Sequence, residues 1–95
     1  MPREKSIFTR EYSIFLSTLR RVREEAGRTQ ADVGKVMGRD QSVVSKCERG
    51  ERRLDIIETR VYCKGIGMEF DRFIKILEAE IEGQKGKAPS RIRKR

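Results

Sequence analysis

The sequence contains no histidine and no tryptophan, and only two cysteines and two prolines. Without histidine, and without a CxxC pair or a Cys/His cluster, it offers no zinc-ligand set. No nucleophile lies beside a candidate base, and no glycine-rich loop is built to cradle phosphates. No catalytic residue, metal or cofactor is therefore expected, and the chain does not read as an enzyme. No apolar run approaches the roughly 20 residues that span a bilayer. Charges interrupt the opening stretch MPREKSIFTREYSIFL, which therefore does not read as a signal peptide. A membrane is not an expected partner. Cys47 and Cys63 fall at apolar-periodic positions. Buried thiols in a reducing cytoplasm are the expectation, with a disulfide between them as the alternative.

What is present is charge. The 95 residues are 40% charged and 36% hydrophobic, with a net charge of +8. A chain of this length makes one domain with a compact core and no room for a deep cleft. The basic excess favours an anionic partner, nucleic acid or membrane surface. It is unevenly spread. Lys85, Lys87, Arg91, Arg93, Lys94 and Arg95 lie in the last twelve residues with no acid among them, and the rest of the chain is nearly balanced. Residues 84–95 are expected to be a disordered basic tail, either simply solubilising or an arm that seeks phosphates.

Periodicity places helices along the remainder. Residues 1–8 read as a flexible leader and 9–83 as the folded domain. A first helix is expected from about Arg10 to Ala26, capped by Thr9, stopped by Gly27, with Phe15, Leu19, Val22 and Ala26 on one face. Thr29 opens a second, with Asp32 placed for a capping box and Val33, Val36 and Met37 inward. Gly38 closes it after barely two turns. A third starts behind Asp40 as N-cap, turns Val44 and Cys47 inward, and ends at Gly50. Asp55 and Glu58 start a fourth, carrying Ile56, Ile57, Val61, Tyr62, Cys63 and Ile66. GIG at residues 65–67 stops it. A fifth runs from about Glu69 to Glu82 with Phe70, Phe73, Ile74, Leu77 and Ile81 on a stripe, and Gly83 and Gly86 release the tail. No strand alternation is seen, so the fold class is all-α with five helices.

The stretch TQADVGKVMGRDQSVVSKCERG, Thr29 to Gly50, carries the functional signal. Two short helices flank a turn containing glycine, the helix-turn-helix arrangement. Close crossing of the pair needs a small residue within the first, and Gly34 stands there, although glycine inside a helix costs about 1 kcal/mol relative to alanine. Gly38 supplies the positive φ of the turn. With Val44 and Cys47 inward, Gln41, Ser42, Ser45 and Lys46 face outward, with Gln41 and Ser42 in the first turn. That is the end of a recognition helix that enters a major groove. Glutamine can pair in a bidentate fashion with adenine, lysine favours guanine O6/N7, and serine can bond to a donor or an acceptor.

The same stretch resembles the helix-turn-helix of the phage repressor/Cro type, the Xre family. The matching features are Gln30, Gly34, Gly38, the pair Gln41-Ser42, and Glu48 with Gly50. Further on, CKGIG at 63–67 is similar to the family's ending of the fourth helix. The resemblance covers about Phe15 to Leu77. It departs in several places. Gly34 and Cys47 stand where alanine and a larger apolar residue are usual, Glu69 stands where a Ser-type cap is usual, and Asp40 brings a negative charge near the phosphates.

The resemblance implies a five-helix repressor-like DNA-binding domain. Gln41, Ser42, Val43, Ser45 and Lys46 would face the bases, with Val43 against a thymine methyl. Gln30 would bond a phosphate. The loop after the third helix, with Arg49, Arg52 and Arg53, would grip others, and Thr29 and Arg39 are placed in the same phosphate-binding group. Glu48 is expected to be structural, in an ion pair. The implied partner is double-stranded DNA. A single recognition helix reads few base pairs, so a homodimer on a palindrome, joined through the last helix, is expected. The implied function is transcriptional repression in a bacterial or phage cytoplasm, at the nucleoid. The alternative is an antitoxin or restriction–modification controller that also binds a partner protein.

Overall fold

The computed structural model describes the backbone of residues 2–85 and the side chains of residues 10–83. Five helices and no strand are found among them. They are α1 (Pro2–Glu25), α2 (Gln30–Met37), α3 (Gln41–Glu48), α4 (Ile56–Gly65) and α5 (Phe70–Lys85). The order and number match the expectation from periodicity.

The helix starts and stops follow local chemistry. Thr29 and Asp32 form the expected capping box, with Thr29 Oγ1 accepting from Asp32 N–H at 3.0 Å and Asp32 Oδ2 accepting from Thr29 N–H at 2.9 Å. The bond from Thr29 N–H, with a further contribution from the Thr29 hydroxyl, holds the Asp32 carboxyl below its ordinary range. Asp55 and Glu58 repeat the device at α4, at 2.7 and 3.0 Å. Gly38 closes α2 at φ 71°, in the left-handed region. Asp40 is the N-cap of α3 by backbone only. Its side chain makes no capping bond, and its carbonyl starts the helix by accepting from Val43 N–H at 3.0 Å.

Two helices are longer than expected. α1 begins at Pro2, so Thr9 lies inside it and is no cap. The reason is in PREKSIFTREYSIFL. Proline suits the first helical position, and no glycine interrupts the chain between Pro2 and Gly27. At the other end Gly83 lies within α5, which continues to Lys85. From residue 86 on, the expected tail lies outside the described residues.

The core gathers Leu19 and Val22 from α1, Val33 from α2, Val44 from α3, Tyr62 and Cys63 from α4, then Ile66, and Phe73 from α5. Cys47 is buried beside it, and both thiols are free. Burial pushes the Cys63 thiol up to about 11, so it packs as a small hydrophobe. α2 packs on both α3 and α4, while α1 packs on α5 and α3.

Some expected core positions face water. In α2 the inward stripe is Gln30, Val33, Gly34 and Met37, leaving Val36 outside and 49% exposed. In α4 the inward stripe is Thr59, Tyr62, Cys63 and Ile66. Ile57 lies off it, Ile56 lies one turn short of the core, and both are exposed. Ala26 sits past the end of α1 and is exposed, whereas Ile14 and Thr18 are buried. Ile74 is exposed as well, and Phe15, Phe70, Leu77 and Ile81 are half-buried.

Candidate nucleic-acid interface

The α2–α3 pair is joined by three residues, Gly38 to Asp40. The turn folds back tightly on α2, where Arg39 N–H donates to the Gly34 carbonyl at 2.8 Å. A Cβ added to Gly34 would stand 2.6 Å from the Arg39 carbonyl oxygen and 3.5 Å from Val44 Cγ2. Glycine at this position therefore lets the turn and α3 approach α2 closely, as the sequence suggested.

α3 buries Val44, Cys47 and Glu48. Helical geometry then presents Gln41, Ser42 and Lys46 to solvent, with Val43 and Ser45 half-buried. Four of these five are polar, and they lie together on one short helix. Ser45 Oγ accepts a hydrogen bond from Arg49 Nη1, which ties it to the end of the helix.

Beneath that surface lies a buried polar network. Glu48 pairs with Arg23 of α1 in a bidentate fashion, Nε to Oε2 at 2.7 Å and Nη2 to Oε1 at 2.9 Å. The two side chains are 2% and 9% exposed, so the pair is out of water. Tyr62 of α4 donates its hydroxyl to Glu48 Oε2, and Gln30 of α2 donates Nε2–H to Oε1 at 3.0 Å. Four helices thus meet on one carboxylate. Burial alone would push the Glu48 carboxyl up. The bonds from Arg23, Tyr62 and Gln30 outweigh it and hold it below its ordinary value. Burial and the bond to Glu48 push the Tyr62 hydroxyl far up, so it stays a donor.

The network reaches the surface through an amide. With Nε2 committed to Glu48, Gln30 turns its Oε1 outward, where it accepts from Gln41 Nε2 at 2.6 Å. Gln41 keeps its own Oε1 and one N–H for another partner. Gln30 therefore has a structural task besides the phosphate contact expected of it. Glu48 is an ion-pair anchor, as expected. Arg23 and Tyr62, its main partners, carried no local sequence signal and were missed.

The residues expected at phosphates are dispersed and largely paired. Thr29 is exposed at its cap. Arg49 donates twice to Glu51, at 2.9 and 3.1 Å. Arg52 donates twice to Glu58, at 3.3 and 3.0 Å, and its Nη1 also reaches the Arg53 carbonyl and Cys47 Sγ. Arg39 Nη2 lies 3.8 Å from Glu58 Oε2, the oxygen that accepts from Arg52 Nη2. Arg53 lies over the Tyr12 ring, 4.2 Å from its centroid. Glu51 and Glu58 were missed as partners, although the capping pattern had marked Glu58 for a different duty. Among the described residues no group of His, Cys, Asp or Glu could hold a metal ion, and no helix is long and apolar enough to cross a membrane.

Two short helices crossed over a glycine, the second exposing a polar face, define a helix-turn-helix protein. Residues 15–71 match the family model described as a helix-turn-helix domain. A solved structure of an XRE-family like protein from Pseudomonas syringae pv. tomato str. DC3000 is 39% identical and superposes with a TM-score of 0.76, over 86% of this chain and 100% of that one. No curated protein matches the chain. The chain belongs to the Xre-type helix-turn-helix family, and with it to the DNA-binding transcription regulators.

Proposed function

We propose that this protein is a sequence-specific repressor that inserts α3 into the major groove of a palindromic operator. Gln41, Ser42 and Lys46 face the base edges, and Val43 and Ser45 lie close behind them. Thr29, Gln30, Arg39, Arg49, Arg52 and Arg53 serve the flanking phosphates. The observation that carries this reading is the orientation of Gln41 at the start of α3. Held by Gln30, its amide offers one acceptor and one donor outward, the pair that adenine N6 and N7 require. The exposed Ile74 and the half-exposed Phe70, Leu77 and Ile81 of α5 support a homodimer joined there, which would place two recognition helices about 34 Å apart.

Selection from a random pool of duplex DNA tests the reading. Gln41→Ala should relax the choice at one position of each half-site and weaken binding to the selected sequence. The loss corresponds to about 1–3 kcal/mol. A Gln41→Ala protein that selects the same sequence with the same preference would refute the assignment of α3.

A further inference from the structure

Arg39, Arg49 and Arg52, all expected at phosphates, lie against carboxylates of the same chain. Arg49 is clamped by Glu51 with two hydrogen bonds. Arg52 is clamped by Glu58 with two more, and Arg39 approaches the same carboxylate. Each acid is set in place by its surroundings. Glu58 also closes the α4 capping box by accepting from Asp55 N–H, which fixes it facing Arg52. Glu51 follows the turn at Gly50 and accepts both of its bonds from Arg49, one on each carboxylate oxygen. Both carboxyls are held below their ordinary range, chiefly by those arginines.

We infer that Glu51 and Glu58 limit the sequence-independent part of DNA binding, by holding Arg49, Arg52 and Arg39 in pairs that a DNA phosphate must displace. This inference rests on the reading of α3 as the helix that faces DNA. The Arg49–Glu51 side chains are 53% and 56% exposed. An exposed pair of this kind is weak, so a phosphate can replace the carboxylate. The displaced carboxylate then stays beside the phosphate and repels it. The part of the affinity that comes from counterion release is reduced on every sequence alike. Binding to the right site, where α3 adds base contacts, is reduced by the same factor but starts higher. Random DNA falls below useful affinity first. The nearly balanced charge of the folded part, despite its many arginines, fits this arrangement.

Glu51→Gln and Glu58→Gln test it, measured by titration of random-sequence duplex and of the selected operator at several salt concentrations. Glutamine keeps the size, and at residue 58 it still suits a capping box. Each variant should bind random duplex about three- to tenfold more tightly at low salt. Each should also steepen the slope of log affinity against log salt by up to about 0.9 per phosphate gained. In an Arg49→Ala background, Glu51→Gln should have no effect. Unchanged or weaker binding by both variants would overturn the inference, since carboxylates that merely aim the arginines at phosphates predict a loss. Persistence of the Glu51→Gln gain without Arg49 would also overturn it, because the effect would then be general charge removal. Wild-type protein that shows no sequence preference at all would instead refute the reading of α3, and this inference with it.

Discussion

Gly34 and Gly38 are four residues apart and are glycines for opposite reasons. At Gly38 the constraint is the backbone: φ is 71°, yet nothing lies within 4 Å of an added Cβ. At Gly34 the constraint is space, with the Arg39 carbonyl oxygen 2.6 Å from an added Cβ. Gly38→Ala should cost about 1–2 kcal/mol, the penalty of an L-residue in the left-handed region. Gly34→Ala gains about 1 kcal/mol of helix propensity but must push the turn outward, at about 1–3 kcal/mol for overpacking. Its net effect on stability should be a loss of about 1 kcal/mol, smaller than the local clash alone. The two separate in DNA selection. Moving the turn tilts α3, so Gly34→Ala should blur the preferred sequence, whereas Gly38→Ala should lower the melting temperature alone. Chemical denaturation and pool selection on both variants measure this, and a Gly34→Ala protein more stable than wild type would contradict the steric account. The sequence showed that a small residue was wanted at residue 34. It could not show how close the turn comes.

At the scale of elements, the helices are held in place by two kinds of contact, and only one kind is visible in a sequence. Capping is local. Thr29 with Asp32, and Asp55 with Glu58, lie three residues apart, so their pattern announces the start of α2 and α4. Periodicity likewise shows which face of α3 is buried. The ties between helices are not local. Arg23 and Glu48 are 25 residues apart, and Tyr62 lies 14 beyond Glu48. Nothing near Arg23 or Tyr62 marks either as a partner. Exposed isoleucines mislead in the reverse sense, since Ile56 and Ile57 are apolar but sit where α4 has no neighbour to cover them.

The Glu48 network has a measurable consequence. Removing the carboxylate strands the Arg23 cation in the core, so Glu48→Ala should cost about 3–5 kcal/mol. Tyr62→Phe removes one donor and should cost about 1–2 kcal/mol. The pH dependence has a definite sign. The Glu48 carboxyl lies below its ordinary value of 4.5 in the folded state. The unfolded chain therefore takes up its proton first as pH falls. The stabilisation is fully present above about pH 5 and is lost as pH drops below 4.5 through the lower folded value. Asp32 and Glu58 are shifted the same way and add to the same decline. Urea unfolding from about pH 7 to about pH 3 should show a flat region and then a fall. A stability that rises on acidification would contradict the assigned ion pair.

For the whole molecule, the distribution of charge divides affinity from selectivity. The folded part pairs Arg21, Arg39, Arg49 and Arg52 with acids at its surface, while Gln84 to Arg95 adds six cations and no acid. Counterion release depends on how many phosphates are neutralised and is indifferent to sequence. Base discrimination depends on Gln41 and its neighbours on α3. The two should therefore respond separately to changes in the chain. A protein ending at Gly83 should keep the operator preference of the full chain. Its affinity should fall in parallel for operator and random duplex, and the salt slope should flatten by about 0.9 for each phosphate the tail had neutralised. If truncation leaves the slope unchanged, the tail makes no phosphate contact and acts only on solubility. If truncation changes which sequence is selected, residues after Gly83 read bases, and α3 is no longer the sole source of specificity. Titrations of both proteins against operator and random duplex at four or more salt concentrations distinguish these outcomes. Repeating the series with Gln41→Ala should change the preference without changing the slope, so that selectivity and salt dependence are lost independently.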